Sequence, residues 1–179
     1  MIDADIDESP QPAESPVDYV RRVAMEKARA GCAKLGAPAS RPLLAADTVV
    51  VCGGQILGKP RDREDAAQML RLLSGRRHRV LTAVTLTVMG EAWQAYSESQ
   101  VTLRILSETD ICRYWQTGEP EDKAGGYAIQ GHGALFITRL DGSYSGVMGL
   151  PLCETGSLLE RAGIELMSPT VFDTPRHFI

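Results

Sequence analysis

Residues 43–60, LLAADTVVVCGGQILGKP, decide how this chain is read. Leu43 to Val51 is an apolar, β-branched run that predicts a buried strand. Gly53-Gly54 predicts a tight turn and Gln55 to Leu57 a short return strand, which Pro60 breaks. One residue stands against the pattern. Asp47 interrupts the apolar run, and an ionised carboxylate in such surroundings is costly unless it is paired, hydrogen-bonded or bound to a metal. Two readings are open at this point: a general base or magnesium ligand at the mouth of a site, or a strand end, Asp47-Thr48, that faces solvent.

Working outward, a helix precedes the strand. Ser15 is placed to cap it, Pro16 suits its first turn, and Asp18 favours its positive end. Val17, Val20, Ala24 and Ala28 recur at helical spacing until Gly36 stops the run. The fourteen residues before Ser15 are acidic and poor in apolar side chains, and read as a tail or loop. After Pro60, Asp62 caps a second helix with Ala66, Met69, Leu70 and Leu73 inward, ending at Gly75. Arg79 to Val88 and Trp93 to Leu106 predict two long antiparallel strands around a turn at Met89-Gly90-Glu91. Ser107 and Asp110 form a capping box for a third helix. A glycine-rich stretch, the strand ALFITRL and a last helix from Pro151 to Gly163 complete the pattern. Strands and helices mix without strict alternation, which predicts a mixed sheet flanked by helices.

Composition narrows the class. With 179 residues, 44% hydrophobic and 23% charged, the chain is an ordinary globular sequence able to bury a core. It has no apolar run of membrane-spanning length and no signal-peptide pattern, which places it in the cytoplasm. The four cysteines, Cys32, Cys52, Cys112 and Cys153, form no metal-binding or disulfide framework and read as buried thiols. A net charge of −4 argues against a nucleic-acid backbone as partner. Fifteen basic residues are arginine and four are lysine, Lys27, Lys34, Lys59 and Lys123. Two readings are open for a lysine kept in so arginine-rich a chain: a place that needs a compact point charge, or codon bias and chance.

Gly58-Lys59-Pro60 offers such a charge on a stiff turn, without the spacing of a Walker A loop. In residues 122–131, DKAGGYAIQG, glycines flank a short apolar strand that ends in Gln130. That amide sets a donor beside an acceptor, matching the imide edge of uracil or thymine, and an adenine edge as well. His78, His132 and His177 have no metal-ligand spacing, and nothing suggests a Ser/His/Asp set. His132 reads as an exposed loop residue.

Taken together, DIDES, SPVDYVRRVAMEKA, AADTVV, ILGKPRDREDAAQMLRLLSGRRHRVLTAV, GEPEDKAGGYAIQGHGALFI and GSYSGVMGLPLCET resemble the Maf family of nucleotide pyrophosphatases, in its dTTP/UTP branch. The blocks stand in family order and cover about residues 5 to 166. The resemblance implies an elongated α/β fold of the Maf/ITPase-like kind, with a mixed sheet and two lobes around a cleft. It also implies hydrolysis of a nucleoside triphosphate to the monophosphate and pyrophosphate with a divalent metal, Mg²⁺ or Mn²⁺. Matched position by position, Asp47 falls on the catalytic carboxylate and Glu8 and Lys27 on the other acidic and basic site positions. Asp47 and Glu8 are the implied metal ligands, and Lys59 and Lys123 the implied triphosphate contacts. Thr48 and Gln130 fall on positions tied to base selection. A homodimer is also implied.

Family members begin with an apolar strand and a Ser-x-Ser-Pro-Arg-Arg loop, which do not precede DIDES here. Residues 1–166 are thus expected to be one domain lacking that strand and loop, with 167–179 as a tail. Either the true start lies upstream of Met1 or the activity is impaired. The family is also associated with septum formation, so the rival expectation is a nucleotide- or partner-binding protein without turnover.

Overall fold

A computed structural model describes residue 4, residues 6–35 and residues 41–167. The expected stop at Gly36 and nearly all of the expected tail lie outside those residues. Five strands, β1 (Leu43–Cys52), β2 (Gln55–Leu57), β3 (Arg77–Val88), β4 (Glu91–Leu103) and β5 (Ile137–Asp141), form one sheet in the order β2-β1-β3-β4-β5. Five helices accompany them: α1 (Pro16–Leu35), α2 (Arg63–Leu73), α3 (Glu108–Trp115), α4 (Tyr144–Val147) and α5 (Leu152–Arg161).

The α/β architecture is as expected, but every described strand pair is antiparallel, where a mixed sheet was expected. The reason lies in the crossover through α2. It joins β2 to β3, which run in the same direction but flank β1 on opposite sides, so no parallel neighbours result.

Local chemistry sets the element ends. The Asp18 amide donates to Ser15 Oγ (3.1 Å) and the Asp65 amide to Asp62 Oδ1 (2.8 Å). Ser107 and Asp110 form the reciprocal capping box. Gly53 and Gly54, both at positive φ, close the β1–β2 hairpin. In the β3–β4 turn Met89 takes φ 52° ahead of Gly90, and its side chain is exposed. Met89→Gly is therefore expected to raise stability by about 1 kcal/mol in urea denaturation.

Alternation along β1 and β3 assigns each face. Val49, Val51, Leu81 and Ala83 pack under Tyr19, Val20, Val23 and Ala24 of α1. On the opposite face Val50, Cys52 and Val80 join Leu70, Leu73, Ile111, Tyr114, Tyr127 and Phe136. Further along the same face, Val84 and Leu86 pack against Leu158 of α5. Thr82 separates these two clusters, and β2 pairs only with Val50–Cys52. Among the described residues no strand pairs with the outer edge of β1 from Leu43 to Val49.

Candidate active site

A cleft of about 490 Å³ opens at that edge. It is lined by all seven side chains singled out in the sequence: Glu8, Lys27, Asp47, Thr48, Lys59, Lys123 and Gln130. Asp47 and Thr48 are consecutive on a strand and so point to opposite faces of the sheet. One cleft reaches both because β2 stops short of them and leaves the edge open.

On the α1 face, Tyr19, Val23 and Lys27 lie at successive i+4 positions, one stripe of the helix. Lys27 Nζ donates to Asp47 Oδ1 at 2.7 Å and meets Glu8 Oε1 at 2.8 Å. Asp47 is 7% exposed, and its other oxygen, Oδ2, is buried without a hydrogen-bond partner. Burial raises the Asp47 pKa above its ordinary value; Lys27 pulls it down and Glu8 pushes it further up. Burial works against the Lys27 ammonium, but its hydrogen bonds to Asp47 and Glu8 outweigh that and keep it protonated.

The segment ahead of α1 is a loop rather than a free tail. Tyr19 Oη donates to the Glu8 carbonyl (2.7 Å), while Arg22 binds the Ser9 carbonyl (3.0 Å) and the Glu14 carboxylate (2.6 Å). These contacts deliver Glu8 to Lys27. Composition concealed them, because each depends on a side chain of α1.

Across the cleft, the Gly125 amide donates to the Gly58 carbonyl at 2.9 Å and ties the Lys59 turn to the Lys123 loop. Asp122 is ion-paired with Lys123, and Lys59 also lowers its pKa. Gly125 is required: at φ 70°, a Cβ there would stand 2.9–3.1 Å from three carbons of Val50. Gly125→Ala is expected to cost about 3 kcal/mol in urea denaturation, from a strained backbone together with overpacking.

Residues 127–130 are not the short strand expected. They run between 3₁₀ turns that end at Gly126 and begin at His132, outside the sheet's ladders. The Ala128 amide donates to Tyr114 Oη (3.0 Å), and Tyr127 Oη lies 2.7 Å from His78 Nε2. Burial pushes the His78 pKa down to about 4, so the ring is neutral at pH 7. His132 is exposed, as expected. Among the cysteines only Cys52 is buried; Cys32 and Cys112 are partly exposed and Cys153 is exposed, because Cys153 sits on the outer side of α5.

Sequence reasoning passed over Tyr19, Tyr127, Met148 and Gly149, which also line the cleft. The signal for Tyr19 was its place on the apolar stripe of α1. Met148 and Gly149 follow α4, a four-residue helix too short for periodicity to show.

An open sheet edge with two carboxylates bridged by a lysine, facing two further lysines, defines an α/β protein equipped to bind a polyphosphate and to move a proton beside it. A family model described as Maf-like protein matches residues 1–162, and the chain belongs to that family. It is 52% identical over 166 residues to a dTTP/UTP pyrophosphatase of Nitrosomonas europaea, covering 91% of this chain and 80% of that protein. It is also 52% identical to one of Hahella chejuensis, over 94% and 84% of the two chains. The identity to one of Pseudoalteromonas atlantica is 49%, over 91% and 85%.

Proposed function

We propose that this chain hydrolyses dTTP and UTP at the α-phosphate, releasing the nucleoside monophosphate and pyrophosphate. The observation that carries the reading is the convergence of Asp47, Glu8, Lys27, Lys59, Lys123, Thr48 and Gln130 on one cleft, in a chain half identical to proteins of that name.

In this reading Asp47 takes the proton of a water whose oxygen attacks the α-phosphorus. The bond from that phosphorus to the α–β bridging oxygen breaks, and pyrophosphate leaves. Lys27, Lys59 and Lys123 offset the charge that develops on the phosphate oxygens. Thr48 and Gln130 hold the base edge.

The residues present also suit a divalent cation. Asp47 Oδ2 is a buried acceptor without a partner, and Glu8 shares the Lys27 ammonium with Asp47. Among the described residues no three His, Cys, Asp or Glu side chains are grouped so as to hold a metal ion by themselves. Mg²⁺ or Mn²⁺ would therefore be held by Asp47 and Glu8 with water and phosphate oxygens completing the shell, and would neutralise triphosphate charge. No described helix is long and apolar enough to cross a membrane. A cytoplasmic homodimer belongs to this reading through the family resemblance.

Pyrophosphate release should be measured from dTTP, UTP, CTP, ATP and GTP with each metal. The expected kcat/KM for dTTP and UTP exceeds the others by roughly tenfold or more. Equal rates for all five would end the pyrimidine assignment. Binding of dTTP without turnover would replace the enzyme by a binding protein.

A further inference from the structure

Thr82 lies at the middle of β3, 1% exposed, paired in register with Thr48 of β1. Its Oγ1 is 2.7 Å from the Gly146 carbonyl oxygen and 2.9 Å from Thr48 Oγ1. The first contact has only one possible direction, since a carbonyl has no hydrogen to give and Thr82 must donate. A hydroxyl carries one hydrogen. With that hydrogen committed to Gly146, the Thr48–Thr82 contact is made only if Thr48 donates. The Thr48 hydrogen therefore points into the fold, and Thr48 Oγ1 has only lone pairs left for the cleft.

The far end of this relay is held firmly. The Gly146 amide donates to Ser143 Oγ at 2.9 Å, and the Gly146 carbonyl also accepts the Gly149 amide at 3.0 Å. Thr48 half-faces the cleft, whereas Thr82 does not line it and cannot touch a bound molecule.

We infer that Thr82 is a positioning residue for base selection, which with Gly146 makes Thr48 a pure hydrogen-bond acceptor. This rests on the reading that Thr48 meets the base. An acceptor at that point takes a ring N–H, as the imides of uracil and thymine offer. It opposes a ring lone pair, which cytosine presents at the same place. Two acceptors brought face to face leave both unpaired, and that is the strong form of discrimination.

The test compares kcat/KM for UTP and CTP in the wild-type chain, Thr82→Val, Thr82→Ala, Thr82→Ser and Thr48→Val, with N3-methyl-UTP as a probe of the donor. Thr82→Val keeps the shape and frees the Thr48 hydrogen to turn outward. The UTP:CTP ratio is then expected to fall roughly tenfold or more, with CTP gaining in absolute terms, while Thr82→Ser keeps the wild-type ratio. The wild-type chain should use N3-methyl-UTP at least roughly tenfold worse than UTP. Thr82→Ala tests the same point without relying on the valine fitting. If both Thr82 variants lose UTP and CTP turnover in equal proportion, Thr82 is only structural and the inference is overturned. If they leave the ratio unchanged while Thr48→Val lowers it, the relay is wrong and Thr48 still meets the base. If Thr48→Val also leaves the ratio unchanged, the base lies elsewhere and the underlying reading fails with it.

Discussion

Asp47→Asn is expected to lower turnover of dTTP by about 10³-fold at saturating metal. The substitution keeps shape and volume at a position that is 7% exposed, and Lys27 retains Glu8 at 2.8 Å, so the cleft keeps its frame. What goes, in the proposed reading, is the carboxylate that takes a proton from water and would hold the cation. The pH profile separates this from a general lesion. Burial raises the Asp47 pKa above 3.8, Lys27 opposing and Glu8 adding to the rise. A base works only when deprotonated, so wild-type kcat should fall on the acid side as the cluster takes up a proton. The three groups are close enough to titrate together, and the inflection belongs to the cluster. The residual rate of Asp47→Asn should lack this acid limb. Wild-type turnover by the variant at saturating metal would remove Asp47 from the chemistry.

Asp47 is legible in the amino-acid sequence because a charge inside an apolar run needs a reason. The ends of α1, α2 and α3 are legible because Ser15, Asp62 and Ser107 act on amides within three residues. The β1–β2 hairpin is legible because two successive positive-φ residues call for Gly53-Gly54. Contacts made over long separations are not. The relay from Thr48 through Thr82 to Gly146 spans 34 and then 64 residues, and threonines in a strand read as ordinary β-formers. The Gln130 segment misleads for a similar reason. Its apolar residues resemble a strand and are buried, yet Tyr127 is held by His78 and the Ala128 amide by Tyr114, and the segment joins none of the described strands. The lysine bias is informative because three of the four, Lys27, Lys59 and Lys123, meet in the cleft. The antiparallel sheet is the hardest feature, since strand direction depends on which side of β1 the α2 crossover delivers β3.

Glu119→Gln is expected to cost about 3 kcal/mol at pH 7 and to loosen the loop that carries Gln130. One carboxylate accepts four hydrogen bonds: Tyr114 Oη at 2.6 Å, the His132 amide at 2.7 Å, the Gly133 amide at 2.9 Å and His132 Nδ1 at 3.1 Å. Since Tyr114 Oη in turn accepts the Ala128 amide, this carboxylate fixes the backbone on both sides of Gln130. A glutamine in its place turns an NH₂ toward donors and leaves at least one of them unpaired. At this chain length the loss corresponds to a fall in Tm of roughly 6–12 °C. The pH dependence identifies the cause. Burial alone would raise the Glu119 pKa, but the hydrogen bonds outweigh it and pull the value from 4.5 to about 2. The folded pKa lies below the unfolded one, so the contribution is full above about 4.5 and is lost as pH falls toward 2. Urea denaturation of the two chains should therefore show a wide gap at pH 7 that narrows steadily below pH 4.5. The KM for UTP should rise in the variant more than kcat falls, if Gln130 meets the base as proposed. A gap of equal size at pH 7 and pH 3 would mean that the carboxylate charge contributes nothing, and that Glu119 serves the loop through packing alone.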